Sequence, residues 1–193
     1  MTKITKIYQT LEDRQNDKEV EENGPFLCQL TDLNGQLKRG IKEPWLGEGY
    51  YFWDTRLEDA IWWGNSVYGQ SGYIVCQTTY DQHSPLLFDL VGDIGQFDEF
   101  IKCADLIMSK IKEKFVTFPV VLSFLKKTNS FNYKAIRVRP VPIKMKPTNI
   151  RFPGEKTYIM IHDKVQICFF DKTLLRSPFK IVYKQTKIEN QII

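Results

Sequence analysis

An α+β domain is the fold class this sequence predicts, and three observations predict it. Strand and helix patterns alternate through the first half of the chain, strands dominate the second half, and no repeat or low-complexity tract separates the two. With 193 residues the chain is long enough to bury one sizeable core, so residues 1–193 read as a single domain. Its 42% hydrophobic and 26% charged residues place it among ordinary globular proteins rather than disordered or fibrous ones.

The elements follow in order. Ile4 to Thr10 alternates polar and apolar residues, the period of a half-buried strand. Thr10 supplies a cap for a very polar helix from Leu11 to Asn23, which Gly24-Pro25 stops. Pro25 to Glu43 is a long connection with a turn at Asp32-Leu33-Asn34-Gly35, and loops of that length in compact domains are often functional. Tyr50 to Trp53 is an aromatic run suited to a strand, and Thr55 with Glu58 forms a capping box that starts a helix. That helix carries Leu57, Ala60 and Ile61 on one face and ends at Gly64-Asn65. Asn65 to Gly72 is a loop, followed by strands at Gly72 to Thr79 and Leu86 to Leu90. The clearest helix runs from Gln96 to Phe115. There Phe97, Phe100, Ile101, Ala104, Ile107, Met108, Ile111 and Phe115 recur at helical spacing and predict one core-facing stripe. Pro119 to Lys127 fits a helix or a buried strand equally. Strands at Ala135 to Val141, Lys156 to His162, Lys164 to Asp171 and Phe179 to Lys184 complete the chain, joined by Pro-rich and basic connections.

All four tryptophans fall within residues 45–64. Gly47 and Gly49 can take positive φ and let another backbone or a ligand come close. On its own the stretch fits a small aromatic core, a strand packed on the helix that follows it. Its pattern, Gly47-Glu48-Gly49-Tyr50-Tyr51-Phe52 before a helix with Ala60 at its centre, resembles the second signature of ADP-ribosyltransferases of the diphtheria-toxin and poly(ADP-ribose) polymerase type. Trp53 directly after Tyr-Phe, with tryptophan in the helix, makes it similar to a group of small bacterial transferase-like proteins associated with toxins and phage defence. Leu87-Phe88-Asp89-Leu90 resembles that group's Leu-Asp-Leu strand, and Val165-Gln166-Ile167-Cys168-Phe169-Phe170 its last signature. The resemblance implies split β-sheets around a cleft with flanking helices. It implies NAD as the substrate that donates ADP-ribose, no metal, a macromolecular acceptor (protein or nucleic acid), and an antitoxin or immunity protein as a partner.

The family's triad is His, Tyr and Glu on three strands. Carried over position by position, Tyr51 falls on the tyrosine that stacks on nicotinamide. Ile7-Tyr8-Gln9-Thr10 lies on the first strand, so Tyr8 stands at the histidine and Gln9 at the glycine after it. Gln166 stands at the glutamate. The implied catalytic set is therefore Tyr8, Tyr51 and Gln166, and the implied NAD-binding set is Gln9, Thr10, Gly47, Gly49, Tyr50 and Tyr51. Breaking the nicotinamide–ribose bond builds positive charge on the ribose. A carboxylate about 4 Å away would stabilise that charge by roughly 4 kcal/mol at an effective dielectric of 20. Gln166 can hydrogen-bond a ribose hydroxyl but brings no charge. The alternative is a degenerate member of the fold that binds a nucleotide or partner without turnover. Asp89 reads as a turn or cap partner before it reads as an acid. Glu155 lies where the family often keeps acceptor-recognition residues.

The net charge of +4 is mildly basic, and most of it reads as a solvated surface. Lys134 to Lys146 is free of acids, and Arg137, Arg139, Lys144 and Lys146 in it read first as a solvated surface; if they instead bind a nucleic-acid acceptor, that binding weakens steeply with salt. Cys28, Cys76, Cys103 and Cys168 form no Cys-x-x-Cys pair, and His83 and His162 have no ligand spacing, so no metal is expected. No run of about 18 apolar residues and no apolar signal core is present, which reads as cytoplasmic.

Overall fold

The computed structural model describes residues 1–31, 36, 44–112, 115–140, 148–151, 158–161 and 164–187, with the backbone alone at 148–151 and 158–161. The strands are β1 (Ile4–Glu12), β2 (Tyr50–Asp54), β3 (Tyr73–Asp81), β4 (Leu87–Asp89), β5 (Ala135–Val138), β6 (Thr148–Arg151), β7 (Tyr158–Ile161), β8 (Gln166–Phe169) and β9 (Arg176–Gln185). The helices are α1 (Asp17–Asn23), α2 (Leu57–Tyr68), α3 (Ile94–Ile111) and α4 (Phe118–Lys126). The class is mixed α+β. Seven strands hydrogen-bond as one open sheet in the order β4-β5-β8-β2-β1-β3-β9, and β6 and β7 pair as a separate hairpin. The expected split into two small facing sheets is therefore not the arrangement among the described strands. β2 joins β8 directly, through Tyr50 opposite Phe169 to Trp53 opposite Gln166, so the two halves of the chain share one hydrogen-bonded ladder. Among the described strands only β4 and β5 run parallel, with α3 and α4 in the crossover between them.

Several boundaries move for identifiable reasons. β1 extends to Glu12 because Leu11 and Glu12 still find partners in Ile74 and Tyr73, so Thr10 is a strand residue and not a helix cap. α1 is accordingly short and starts at Asp17. α2 starts at Leu57 without the capping box, and no side-chain cap bond forms there. Thr55 instead adopts φ 65°, and its hydroxyl turns back to Asp54 Oδ1 at 3.1 Å. α2 also runs past Gly64 to Tyr68. Gly64 is needed for closeness rather than for termination, since a Cβ there would collide with the ring of Tyr73. α3 begins earlier than the periodicity suggests because Asp93 caps it, accepting from Gln96 N at 3.0 Å. Residues 118–126 are a helix with Pro119 in its first turn, which resolves the ambiguity of that segment. β6 falls in a stretch read as connection. The turn at 32–35, together with Lys144, Lys146, Glu155 and His162, lies outside the described residues.

Alternation along the strands divides the core between the two faces of the sheet. On one face Ile7, Phe52, Ile74, Ile167 and Phe169 pack beneath Val20 of α1 and Phe179. Fully burying a phenylalanine of this kind contributes about 1.5–3 kcal/mol. On the opposite face two helical layers cover separate regions. α2 lies over Tyr8, Trp53, Tyr73 and Val75, and α3 with α4 lies over Phe88, Ile136, Val138 and Cys168. The α3 stripe does not all enter this core. Phe100, Cys103 and Ile107 are buried, but Phe97, Ile101 and Ile111 are 45%, 43% and 50% exposed, and Phe115 beyond the helix is 87% exposed. Among the described residues no helix is long and apolar enough to cross a membrane.

Candidate functional site

The floor of the site follows from strand register. Tyr8 lies opposite Trp53, Trp53 opposite Gln166, and Gln166 opposite Val138. Residues paired in this way share a face, so Tyr8, Trp53 and Gln166 form one cross-strand row over β1, β2 and β8. Tyr51, two residues from Trp53, lies on the same face. The row crosses the boundary between the α2 layer and the α3–α4 layer.

Each member of the row has a defined setting. Gln166 is half-buried, and its Oε1 accepts from Trp45 Nε1 at 2.8 Å. Trp53 is 6% exposed and meets the rings of Trp62 and Trp63 at 6.0 and 5.9 Å between centroids. Trp62 is 42% exposed and carries Lys164 Nζ 4.2 Å from its ring centroid, a cation–π contact. Tyr8 is buried beneath α2, and its pKa is raised by burial and then by the charge of Glu58, which favours the neutral phenol.

Tyr51 closes the glycine turn. Its hydroxyl donates to Gly47 O at 2.8 Å and accepts from Leu46 N at 2.8 Å. Burial raises its pKa well above the ordinary tyrosine range, with Cys168 adding to the effect. Gly47 adopts φ 80°, a conformation that favours glycine. Gly49 pairs with Cys28, and a Cβ there would collide with Cys168 Sγ and would lie 2.6 Å from Phe169 O. The glycines thus bring the turn against β8, beside the strand that carries Gln166.

The remaining residues assigned from the sequence are not all drawn into this row. Gln9 faces the other side of the sheet, where Nε2 donates to Phe26 O at 2.9 Å and Oε1 accepts from Phe26 N at 2.9 Å. Tyr50 also lies on that side, packed on the core with Lys172 5.4 Å from its ring centroid. Thr10 is on the side of the row but donates to Ala60 O at 2.8 Å, which ties α2 to β1. Trp45 and Trp53 are the residues that reading the sequence left out of the site. The signal was present in the concentration of tryptophan around the glycine turn, but only the register, for Trp53, and the hydrogen bond, for Trp45, show which of them flank Gln166.

A second polar constellation lies on the opposite face of the sheet, on β2, β4 and β5. Arg137 Nε donates to Asp54 Oδ2 at 2.7 Å, and its Nη1 donates to Asp89 Oδ1 and Oδ2 at 3.1 and 3.2 Å. Burial opposes the charge on Arg137, but the two carboxylates outweigh it and its pKa is raised. Asp89 also accepts from Val91 N and Gly92 N at 3.0 and 2.9 Å, which shapes the turn into α3. Arg137 is therefore committed inside the protein. This corrects its reading as a surface charge, solvated or facing a nucleic acid.

An apolar groove of about 700 Å³ opens between α3, α4 and the end of β5, and Val138, which lies opposite Gln166, is among its lining residues. Trp45 shares this groove with Phe97, Ile101, Phe118, Val138 and Arg139, and the rings of Trp45 and Phe118 pack at 5.3 Å. Compared with known protein families, curated proteins and solved structures, the chain shows no match to any of them.

Proposed function

We propose that this protein is an NAD-directed ADP-ribosyltransferase that modifies a macromolecule, protein or nucleic acid, in a toxin or phage-defence setting. The observation that carries the reading is the cross-strand row: the three positions assigned from the family's triad lie on neighbouring strands, with Tyr8, Gln166 and Tyr51 on one face. In this reading the C–N bond between ribose and nicotinamide breaks, nicotinamide leaves with the electron pair, and a nucleophile of the acceptor attacks the ribose carbon. Gln166 holds a ribose hydroxyl through its amide, the Trp45 N–H fixes the orientation of that amide, and the aromatic residues around the row supply flat surfaces for the ligand's rings.

A second reading is favoured by one observation. The row contains no carboxylate, and Tyr8 is already packed beneath α2. In that reading the protein binds a nucleotide or partner and does not turn it over.

Nicotinamide release from labelled NAD, measured on wild type and Gln166→Glu with cell lysate as acceptor, separates the two. A carboxylate at this position still accepts from Trp45 Nε1 and adds charge against the developing oxocarbenium. The transferase reading expects release by wild type and equal or faster release by Gln166→Glu. NAD binding by calorimetry with no release from either protein supports the binder, and absence of both binding and release overturns the transferase reading and removes NAD as the binder's ligand.

A further inference from the structure

The cross-strand row does not stop at Tyr8. Tyr8 also lies opposite Gln77 of β3, and Gln77 lies opposite Lys180 of β9. The row therefore runs Gln166, Trp53, Tyr8, Gln77, Lys180 over neighbouring strands of one sheet. At about 4.8 Å per strand its two ends are about 19 Å apart. Lys6, two residues before Tyr8 on β1, is on the same side. So is Lys164, two residues before Gln166, whose ammonium lies 4.2 Å from the ring centroid of Trp62. α2 leaves this end of the sheet uncovered: Lys6 and Lys180 are exposed, and Gln77 and Thr79 are only half-buried. None of Lys6, Lys164 and Lys180 forms an ion pair with a described carboxylate. Lys134 and Lys184, by contrast, meet Asp171 and Asp17 at 3.0 and 2.8 Å. Of the acids near this end, Asp81 already accepts from the N–H groups of Lys3 and His83, and Glu58 stands in the first turn of α2.

We infer that this end of the sheet binds single-stranded nucleic acid, with a base stacked on Trp62 and phosphates held by Lys164, Lys6 and Lys180. Trp62 keeps 42% of its surface exposed although Trp53 and Trp63 pack against it. An indole offers a flat surface to any base, and cations spread along one face follow a phosphate backbone. A single strand fits better than a duplex because only unstacked bases present a free face to an aromatic side chain. No carboxylate holds Lys164 over the indole, so its ammonium passes to a phosphate when a base takes the ring. An acidic peptide would match the lysines and leave the indole unused. An anionic membrane requires an apolar face to bury, and between Lys6 and Lys180 the row offers Tyr8, which is buried, and Gln77, which is polar. In the transferase reading this strand is the acceptor; that role rests on the reading, and the binding does not.

The test uses the full chain without NAD, so its outcome is separate from turnover at the row. Anisotropy of a fluorescein-labelled thymidylate strand of about 20 nucleotides, longer than the usual footprint of such a surface, reads binding as salt is raised from about 50 mM. Three phosphate contacts at about −0.7 each predict a slope of log K against log salt of about −2. Lys6→Gln, Lys164→Gln and Lys180→Gln combined should bring the slope near zero. Trp62→Ala should weaken binding about fivefold or more, the lower end for one lost base stack, and leave the slope unchanged. Trp62→Phe, which keeps a flat ring, should recover most of that loss. The inference is overturned if the strand does not bind at the lowest salt, if the triple lysine variant keeps the wild-type slope, or if Trp62→Ala binds as wild type does. It is equally overturned if a duplex of the same length, polyglutamate or phosphatidylglycerol vesicles compete as well as the unlabelled strand.

Discussion

Arg137 joins three strands through one side chain. Asp54 at the end of β2 and Asp89 at the end of β4 have been withdrawn from water, with side chains 2% and 16% exposed, and both rely on the same guanidinium. Removing one partner of such a buried group leaves uncompensated charge, a loss of about 3–5 kcal/mol. Arg137→Met should therefore lower unfolding stability by that order, measured as a shift in the urea midpoint, although the methionine is hydrophobic and similar in length. A change within 0.5 kcal/mol would mean that the pair is solvated and structurally idle. Thr10 gives a smaller effect of the same kind. Thr10→Val deletes the bond to Ala60 O, worth about 1 kcal/mol. It should loosen the α2 contact, read as faster amide exchange in that helix.

Helix α2 reverses a common rule. An alanine in place of a helical glycine ordinarily stabilises by about 1 kcal/mol. At Gly64 the added methyl group would enter the ring of Tyr73, so Gly64→Ala should destabilise by about 1–3 kcal/mol through overpacking. Thermal unfolding of the variant decides the sign. Gly64 also shows what could be read from the sequence and what could not. α3 and most strands were legible from periodicity, because an amphipathic pattern is a local property of the chain, whereas periodicity left α4 open between helix and strand. Gly64 read as a helix end because local rules see a flexible residue and not the tyrosine from β3 that requires it. The Thr55–Glu58 box failed for a similar reason: Asp54 competes for the threonine hydroxyl and Thr55 turns left-handed. The apolar stripe of α3 was correct in period and wrong in burial, since the sequence cannot show that Phe97 and Ile101 border a groove and stay partly exposed. For the proposed site, Tyr8, Tyr51 and Gln166 were named from the sequence, whereas Trp53 needed the register of β2 against β8 and Trp45 its hydrogen bond to Gln166.

Across the whole molecule, burial of titratable groups on both faces of the sheet sets the response to alkali. Burial raises Cys76 and Cys168 from the ordinary thiol value of 9.0 to about 12 each. Tyr73 moves from 10.0 to about 12 through burial and its neighbour Tyr183. A folded-state pKa raised above the unfolded one means that the folded protein holds its proton more tightly. The stability linked to each group is full below its unfolded value and is lost as pH rises through the folded value. Urea midpoints should therefore stay level for these groups up to about pH 9 and decline from there toward pH 12. Cys76→Ala should start lower because it leaves a cavity, but it should decline less steeply over the same interval. A midpoint that holds constant to pH 11 would show that the thiols ionise without unfolding the sheet. The order of the sheet has a further consequence, in time rather than in space. β8 lies between β5 and β2 in the sheet, yet it is made more than half the chain length after β2. N-terminal segments leave the ribosome first. β1, β2 and β3 can therefore pair early, while β2 keeps one edge open for a neighbour not yet synthesised. Tyr8, Trp45 and Trp53 wait with it, and the row is complete only when Gln166 emerges. A chain stalled before residue 166 carries no assembled site, so any activity the row supports is withheld from the nascent protein until late in its own translation.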